Sequence, residues 1–589
     1  MLFAAGAVTR LGRVDDGSTT TDFDPDEIKR KISINTSIAY CDAKGHRINL
    51  VDTPGYGDFI ADARAGLRVV EAAVVVVDAV AGVQVQTEKV WKFAGEFDLP
   101  RAIVVNRLDR ERSDFFRTLE SLGRRLKGRI VPVHVPVGEE GGFRGFVDLV
   151  TQRATLYADG KATEAAIPAE VADRGEVGGT DLKAKAAGAR GPDAKAPVTA
   201  LVFKTLSDPH IGKLSLFRVY SGTLRADSTL LNIGRGARER MGHVSWLQGK
   251  TQKNVEALGP GEIGVAQKLK ETQTGETLCD EPQPFELPKI TFPEAAISFA
   301  IQPKTRGDED KISLALARIA EEDPTVHHHF DPETKQLLIS GVGSLHVEMT
   351  VERMKRKYNV DVTLLPPRIP YKETVRGRAE GQGKYKKQTG GRGQYGDTWL
   401  RVEPLARGGG FEFADDIFGG AVPRNFIPSV EKGVRECMKK GILAGYPIVD
   451  IKVSLYDGSY HDVDSSDMAF QIAASMGLQK VFMDAHPILL EPVMHVEVTT
   501  PADVAGDIIG DLNSRRGRIA GMEPSGETAV VRASVPMAEM LTYESSLRSM
   551  TGGRGGYSME FSHYEEVPAF HADKIVKDAK TEKEKAEKH

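Results

Sequence analysis

The chain has 589 residues, a length that predicts several domains, and its net charge of −5 at pH 7 neither favours nor excludes nucleic-acid binding. Hydrophobic residues make up 40% and charged residues 27%, and no apolar run is long enough to span a bilayer, which excludes the membrane-protein class. The three cysteines are too few and scattered for a disulfide framework or a zinc site, and no basic leader precedes an apolar run, so we expect a cytoplasmic protein without a signal peptide.

Residues 1–150 alternate apolar strands with amphipathic stretches, which predicts an α/β domain built on a parallel sheet. The longest apolar run, at 72–77, is predicted to be a buried strand. Residues 151–196 are rich in Ala, Gly, Lys, Glu and Asp, and we interpret them as a low-complexity linker.

The rest of the chain predicts five further regions. Short β-type runs between Gly and Asp turns indicate a barrel, and two strand–helix orders are typical of ferredoxin-like α/β sandwiches. The predicted regions are a β-barrel at 197–288, a ferredoxin-like domain at 289–365, an α/β domain with Gly-rich loops at 366–487, a second ferredoxin-like domain at 488–568 and a charged tail at 569–589.

Two short motifs carry the chemistry of the first domain. Asp52, Thr53, Pro54 and Gly55 follow one apolar strand, where the carboxylate can hold a magnesium-bound water and Gly55 lets its N–H approach a γ-phosphate. Asn106, Arg107, Leu108 and Asp109 follow another, where the carboxylate can accept N–H bonds from a guanine edge. Each motif alone is also an ordinary turn sequence, but in this order after apolar strands they indicate a GTP site.

The phosphate end of that site is incomplete in the sequence. Ser33 lies where a switch segment would supply a hydroxyl to Mg²⁺, the alternative being an edge-strand hydroxyl. No Gly-x-x-x-x-Gly-Lys-[Ser/Thr] phosphate loop occurs in the chain. We therefore expect GTP or GDP with Mg²⁺ to be bound weakly or not at all.

Basic residues interleaved with tyrosines and glycines suggest RNA contacts in the second half of the chain. The candidates at 376–396 suit phosphate and base contacts on folded RNA, with a solvated basic loop as the equal alternative. Arg515 and Arg516 could pair with RNA phosphate or solvate a turn. The loop candidates are Lys384, Lys386, Lys387, Arg392 and Gln394.

Several long stretches resemble elongation factor G, in the elongation-factor-G-like branch of the translational GTPases. They include VDTPGYGDF, GVGSLHVEMTVERMKRKY, GQGKYKKQTGGRGQYGD, GSYHDVDSSDMAFQIAASM and GDLNSRRGRIAGM, and the resemblance covers nearly all of 1–565 except 151–196. It implies a P-loop-type GTPase domain, ribosomal RNA and mRNA–tRNA as partners, and a monomer. It also implies that His461 is a tip residue placed beside transfer RNA in the decoding centre.

The departures from the family pattern fall on the nucleotide domain. The chain opens at what resembles the helix after the phosphate loop, so the domain is interpreted as truncated. Tyr56 stands where the family has a water-orienting histidine, Arg107 replaces a lysine, and 151–196 replaces the last sheet elements. The resemblance thus predicts a factor acting in translocation or ribosome recycling, with GTP hydrolysis uncertain. The alternative is a non-catalytic ribosome-binding paralogue or a gene fragment.

Overall fold

The computed structural model describes residues 1–158, 161–168, 171, 193–208, 212–305, 307, 309–388, 393–525 and 528–587. They form two compact units. The first comprises residues 1–329 and 337–365, and the second comprises 330–336 and 366–589.

The first unit begins with turns and a short helix. Helix α1 (Pro25–Arg30) starts at Asp24, whose carboxylate accepts the Asp26 N–H while Glu27 reaches back to the Asp24 N–H. Residues 1–23 form turns and bends, where the sequence resemblance predicted a helix. Strands β1 (Ser37–Ala43) and β2 (His46–Asp52) then form an antiparallel hairpin, followed by a single 3-10 turn (Gly57–Phe59) and helix α2 (Ile60–Leu67).

A strand–helix–strand unit follows, as the α/β pattern predicts. Its elements are β3 (Ala73–Asp78), α3 (Val85–Glu96), β4 (Arg101–Asn106) and α4 (Phe115–Arg125), and β3 pairs parallel with β4. Val75 and Val77 pack against Trp91 and Leu122 of the helices. Val74 and Val76 on the other face are each 61% exposed, so the prediction of a buried strand is wrong for one face.

A separate antiparallel sheet comes next, in the order β5 (His134–Val137), β6 (Gly145–Asp148), β7 (Arg153–Ala158) and β8 (Lys161–Ala165). Val135, Val147 and Ala154 form its core. The last two strands, β7 and β8, lie inside the range 151–196 that was predicted to be a linker. The linker prediction is therefore wrong for these two strands. Small apolar residues alternate there within a polar composition, and β7 also pairs with β6, which lies outside the predicted linker range. Residues 159–160, 169–170 and 172–192 of the predicted linker lie outside the described residues.

Residues 199–279 form an eight-stranded antiparallel sheet in the order β13-β12-β18-β9-β10-β17-β14-β15, with a separate pair of β11 and β16. Apolar residues from nine of these ten strands meet in one cluster, because the sheet curls around it as a barrel. The strands are β9 (Thr199–Asp208), β10 (Gly212–Ser221), β11 (Leu224–Arg225), β12 (Thr229–Asn232), β13 (Ala237–Arg240), β14 (Val244–Gln248), β15 (Thr251–Val255), β16 (Ala257–Leu258), β17 (Ile263–Gln267) and β18 (Thr277–Cys279).

A ferredoxin-like sandwich follows the barrel, as predicted. Its sheet order is β20-β21-β19-β22, and both helices of the predicted strand–helix order are present. The elements are β19 (Ile297–Pro303), α5 (Glu309–Glu322), β20 (His327–Asp331), β21 (Gln336–Gly341), α6 (Ser344–Tyr358) and β22 (Val362–Leu365).

In the second unit, a four-stranded sheet in the order β24-β25-β27-β26 packs on two helices. A Cβ on Gly383 would lie 2.1 Å from the Ala473 carbonyl oxygen, so glycine lets this sheet approach the helix closely. The elements are β23 (Lys372–Val375), β24 (Ala379–Lys387), β25 (Gln394–Pro404), β26 (Phe411–Asp415), α7 (Ile427–Lys440), β27 (Ile451–Ser459) and α8 (Asp467–Asp484).

The second predicted ferredoxin-like domain completes the unit. Its four long strands pair in the order β29-β30-β28-β31, and β23 pairs with the start of β28. The elements are β28 (Pro487–Pro501), α9 (Ala505–Ser514), β29 (Arg518–Ser525), β30 (Thr528–Pro536), α10 (Met537–Met540), α11 (Tyr543–Thr551), β31 (Gly556–Glu566) and the tail helix α12 (Ala569–Glu587). Within the described residues, every helix is too short or too polar to cross a membrane.

Candidate functional site

The first motif lies at the end of the β1–β2 hairpin. Asp52 is the last residue of β2 and pairs with Ser37, the first residue of β1. Gly55 is exposed, and a Cβ built on it meets no atom within 4 Å. Tyr56, 49% exposed, directly precedes the 3-10 turn. The backbone at Gly55 is therefore open to an approaching ligand. The next residue, Tyr56, is also exposed on the surface.

Two residues that the sequence analysis did not single out surround Asp52. Asp52 is exposed as a residue, but nearby atoms of the chain desolvate its carboxyl, and its pKa is raised as a result. The charge of Asp22 also raises this pKa, whereas a hydrogen bond with Thr21 lowers it in part. Ser33, the candidate magnesium ligand, donates its hydroxyl hydrogen to Asp22 Oδ1 at 2.7 Å. Asp22 thus lies between the two candidate metal residues, a juxtaposition that no motif in the sequence signals.

The second motif lies at the carboxyl end of the parallel strands. Asp78 and Asn106 are register partners at the ends of β3 and β4. The next residue, Arg107, has a φ of 62°, and its Nη1 lies 2.9 Å from Asp78 Oδ2. Arg107 is therefore held by Asp78 on the strand alongside.

Asp78 anchors the loop that follows its own strand. Burial raises its pKa, but hydrogen bonds from the Ala81 and Val80 amides and from Arg107 outweigh this and lower it. Asn106 and Asp109 themselves are exposed and form no side-chain hydrogen bond within the described residues. Their amide and carboxylate groups are available to a base edge.

The described strands do not join the two motifs into one sheet. β1 and β2 form one two-stranded sheet, and β3 and β4 form another. In a doubly wound nucleotide-binding sheet, adjacent parallel strands bring such loops to one edge. Strand pairing here places each motif at the end of its own hairpin or strand pair.

The polar side chains of the two motifs fit a guanine better than they fit a phosphate. At the second motif, an exposed carboxylate and amide follow a strand end, which suits the N–H groups of a guanine edge. At the first, Asp22 and Asp52 present two carboxylates, and no lysine or arginine forms an ion pair with either within the described chain. Carboxylates attract Mg²⁺ but repel phosphate, so the charge at this end suits a divalent cation better than a bare phosphate.

The candidate RNA residues of β24 and β25 do come together with His461. Lys387 pairs with Gln394 and Lys384 with Asp397 across the hairpin, and β27 ends alongside at Ser459. The Lys384 ammonium lies 5.6 Å from the centre of the Tyr395 ring. We call Lys384, Lys386, Lys387, Gln394, Tyr395 and His461 the tip cluster. Arg392 lies outside the described residues.

His461 is oriented by its own loop. Its Nδ1 accepts the N–H groups of Val463 and Asp464 at 3.3 and 3.2 Å, so the ring proton sits on Nε2 in the neutral form. The ring lies 6.4 Å from that of Tyr395, and 56% of the side chain is exposed. The arrangement presents an imidazole donor to solvent at the end of the sheet.

Arg515 and Arg516 do not belong to this cluster, and the structure gives both a different role. Arg516 forms two hydrogen bonds with the buried carboxylate of Glu491 and a third with Glu539. Arg515 binds Asp511, the Glu539 carbonyl and Ser546. Because their donors are directed at protein acceptors, these arginines hold α9, α10 and β28 together. The sequence offered no sign of this, since the acceptors lie 4 to 31 residues away.

Comparison with known proteins agrees with this domain order. Four family models match successive parts of the chain: the elongation factor Tu GTP binding domain at 1–279, elongation factor G domain III at 292–366, elongation factor G domain IV at 367–486 and the elongation factor G C-terminus at 488–575. A crystal structure of a protein from Thermus thermophilus is similar, with 36% sequence identity and a TM-score of 0.76. The match covers 98% of this chain and 96% of that chain.

Proposed function

On the premise that this chain belongs to the elongation factor G family of translational GTPases, we propose that it is a ribosome-binding translation factor of the cytoplasm. It would act as a monomer in translocation or ribosome recycling. The tip cluster would meet RNA in the decoding region, and guanine nucleotide would bind at Asn106 and Asp109.

The tip cluster is the observation that carries this proposal. Lys384, Lys386 and Lys387 are exposed, and no carboxylate of the described chain forms an ion pair with any of them. Many other cations of the same unit are paired, including Arg376, Arg378 and Arg401. Unpaired ammonium groups beside Tyr395 and an oriented His461 suit RNA phosphates and unstacked bases.

Ribosome binding is tested by co-sedimentation at low and high salt. We expect the protein to pellet with ribosomes at low salt and to be released as salt rises, because phosphate contacts displace counterions. The triple variant K384M/K386M/K387M should pellet less. K439M is the matched control, since Lys439 is equally exposed but pairs with Glu436 on α7. Absence of pelleting by the wild-type chain at low salt would contradict the proposal.

For the nucleotide we propose weak binding, held mainly by the base. Titration with a fluorescent GTP analogue should show no magnesium-dependent binding at micromolar concentrations. Residual binding should change base preference from guanine to xanthine in D109N, because an amide can donate to the xanthine carbonyl that replaces the guanine amino group. Tight magnesium-dependent binding would overturn the weak-binding proposal and would make Tyr56 a candidate to orient water during hydrolysis.

The second candidate function is a ribosome-binding protein without GTP turnover. The two carboxylates near the phosphate end, Asp22 and Asp52, form no ion pair with a lysine or arginine within the described chain, and this favours the second candidate. Retained co-sedimentation together with no GTP hydrolysis on ribosomes would distinguish it from a working GTPase.

A further inference from the structure

The residues that precede β1, here called the 24–36 segment, carry Ser33 and are bound closely by the protein itself. Glu27 Oε1 accepts the N–H groups of Ile34 and Asn35, each at 2.9 Å, and the Ser33 hydroxyl is taken by Asp22. Glu27 is 2% exposed, and burial raises its pKa while these amides lower it. The Ser33 hydroxyl hydrogen and the two amide hydrogens are therefore already bonded to protein acceptors.

Apolar contacts join the same segment to two other elements. Ile34, 2% exposed, packs with Phe59 of the 3-10 turn and with Met349 of α6. The turn that contains Phe59 directly follows Tyr56. The buried side chain of Ile34 thus connects the 24–36 segment, the residues after Gly55 and the ferredoxin-like domain.

Helix α6 also holds the segment through charged and polar groups on one of its faces. Arg353 Nη2 donates to Asn35 Oδ1 at 2.7 Å, and Arg356 Nη2 donates to Asp24 and Asp26 at 2.9 and 2.6 Å. In the opposite direction, Arg30 donates to Glu352 at 3.0 Å. These contacts span more than 300 residues of sequence and lie within one unit of the chain.

The end of the segment is held by a buried ion pair. Asp62 of α2 accepts the Thr36 N–H at 2.8 Å with one oxygen and the Lys204 ammonium of β9 at 2.5 Å with the other. Only 13% of the Asp62 side chain and 6% of the Lys204 side chain are exposed. A buried pair with a second hydrogen bond resists opening, because opening would leave an uncompensated charge.

We propose that α6 and Asp62 are positioning elements that keep the 24–36 segment docked whether or not nucleotide is bound. Switch segments of GTPases are commonly ordered by γ-phosphate and Mg²⁺ and are released on hydrolysis. In this protein, contacts within the chain order the 24–36 segment. The segment therefore stays attached to both the nucleotide region and the ferredoxin-like domain. That the 24–36 segment faces a nucleotide rests on the proposed function. Its attachment to α6 and Asp62 does not rest on that function.

Hydrogen exchange of the full-length protein tests this inference. The amides of residues 34–36 should exchange slowly without nucleotide, and adding GTP analogue with Mg²⁺ should leave their rates unchanged. The variant R353M/R356M should speed exchange about tenfold. The variant R353M/R356K should retain part of the protection, because a lysine at 356 keeps the positive charge near Asp24 and Asp26. K355M is the matched control, because Lys355 on the same helix pairs with Asp361 instead.

Several results would overturn the inference. Fast exchange of 34–36 in the nucleotide-free protein would do so, as would protection that appears only with nucleotide, or rates that R353M/R356M leaves unchanged. Should the double variant fail to fold, N35A removes one acceptor alone and should still speed exchange of the segment. Because the readout needs neither ribosomes nor tight GTP binding, failure of the proposed function leaves this test intact.

Discussion

At the residue scale, two buried carboxylates each accept several backbone N–H groups from one loop. Glu373 is fully buried and accepts five N–H groups between Ile442 and Tyr446, at 2.7 to 3.0 Å. Glu239 does the same for residues 270–272 of the barrel. A carboxylate offers several lone pairs to a concave loop of amides, so one side chain satisfies the N–H groups of a whole loop.

The basic residues predicted to contact RNA divide into those that are paired within the protein and those that form no ion pair within the described chain, and substitution should separate the two groups. R516M breaks a largely buried pair with Glu491 and should lower the free energy of unfolding by about 3 kcal/mol. K386M should leave stability nearly unchanged, because Lys386 is exposed and unpaired within the described chain. Urea denaturation and ribosome co-sedimentation of both variants check this. Weaker ribosome binding by R516M at full stability would contradict the structural role.

Acid should weaken the barrel through Glu239. Burial raises the pKa of this carboxyl, but three backbone N–H groups and the Thr272 hydroxyl outweigh burial and lower it below the usual 4.5. A lowered folded-state pKa contributes stability that is present above 4.5 and is lost as pH falls further. Urea midpoints of the barrel, followed by Trp246 fluorescence from about pH 7 to about pH 3.5, should therefore fall at the acid end.

The variant E239Q is the control for that pH dependence. It should be less stable at neutral pH and should lose part of the acid-dependent decrease, since an amide does not titrate. A decrease of equal size in wild type and E239Q would assign the acid sensitivity to other carboxyls.

At the element scale, the β3–β4 pair differs from other parallel strands in being covered on one face only. Parallel strands are ordinarily buried on both faces and read as continuous apolar runs. The sequence of β3 has that run, which is why a buried strand was predicted. The helices α3 and α4 pack on Val75 and Val77, while Val74, Val76 and Val104 remain exposed by 61%, 61% and 47%.

Neighbouring valines of β3 should therefore respond differently to the same change. V77T places a hydroxyl in the apolar cluster and should cost about 2 kcal/mol, whereas V76T on the exposed face should cost less than about 0.5 kcal/mol. Both substitutions keep a β-branched side chain, so strand propensity is matched. Urea denaturation followed by Trp91 fluorescence measures the difference, and equal costs would mean that the outer face is covered in solution.

At the scale of the whole molecule, the two units have separate cores and should unfold separately. The chain has three tryptophans, of which Trp246 lies in the barrel of the first unit and Trp399 in β25 of the second. Single-tryptophan variants should give urea transitions with different midpoints, because a chain with several cores does not unfold as one two-state system. Coincident midpoints for Trp246 and Trp399 would show that the units unfold cooperatively.

The family and the multidomain fold class follow from the sequence alone, and the family matches confirm both. Periodic apolar patterns sufficed for α5, α6 and both ferredoxin-like sandwiches, because these elements are long and their patterns are local. The same is true of the motif positions at Asp52 and Asn106, since each follows its strand directly.

Which polar residues bind one another is known only from the folded structure. Whether an arginine is free or paired depends on residues far away in sequence, as Arg516 and Arg356 show. The polar composition of 151–196 concealed the β7–β8 pair, because the strand β6 that extends this sheet lies outside that segment. The exposure of Val76 likewise depends on which helices cover the sheet. These properties arise from contacts between distant parts of the chain, and a local pattern cannot carry that information.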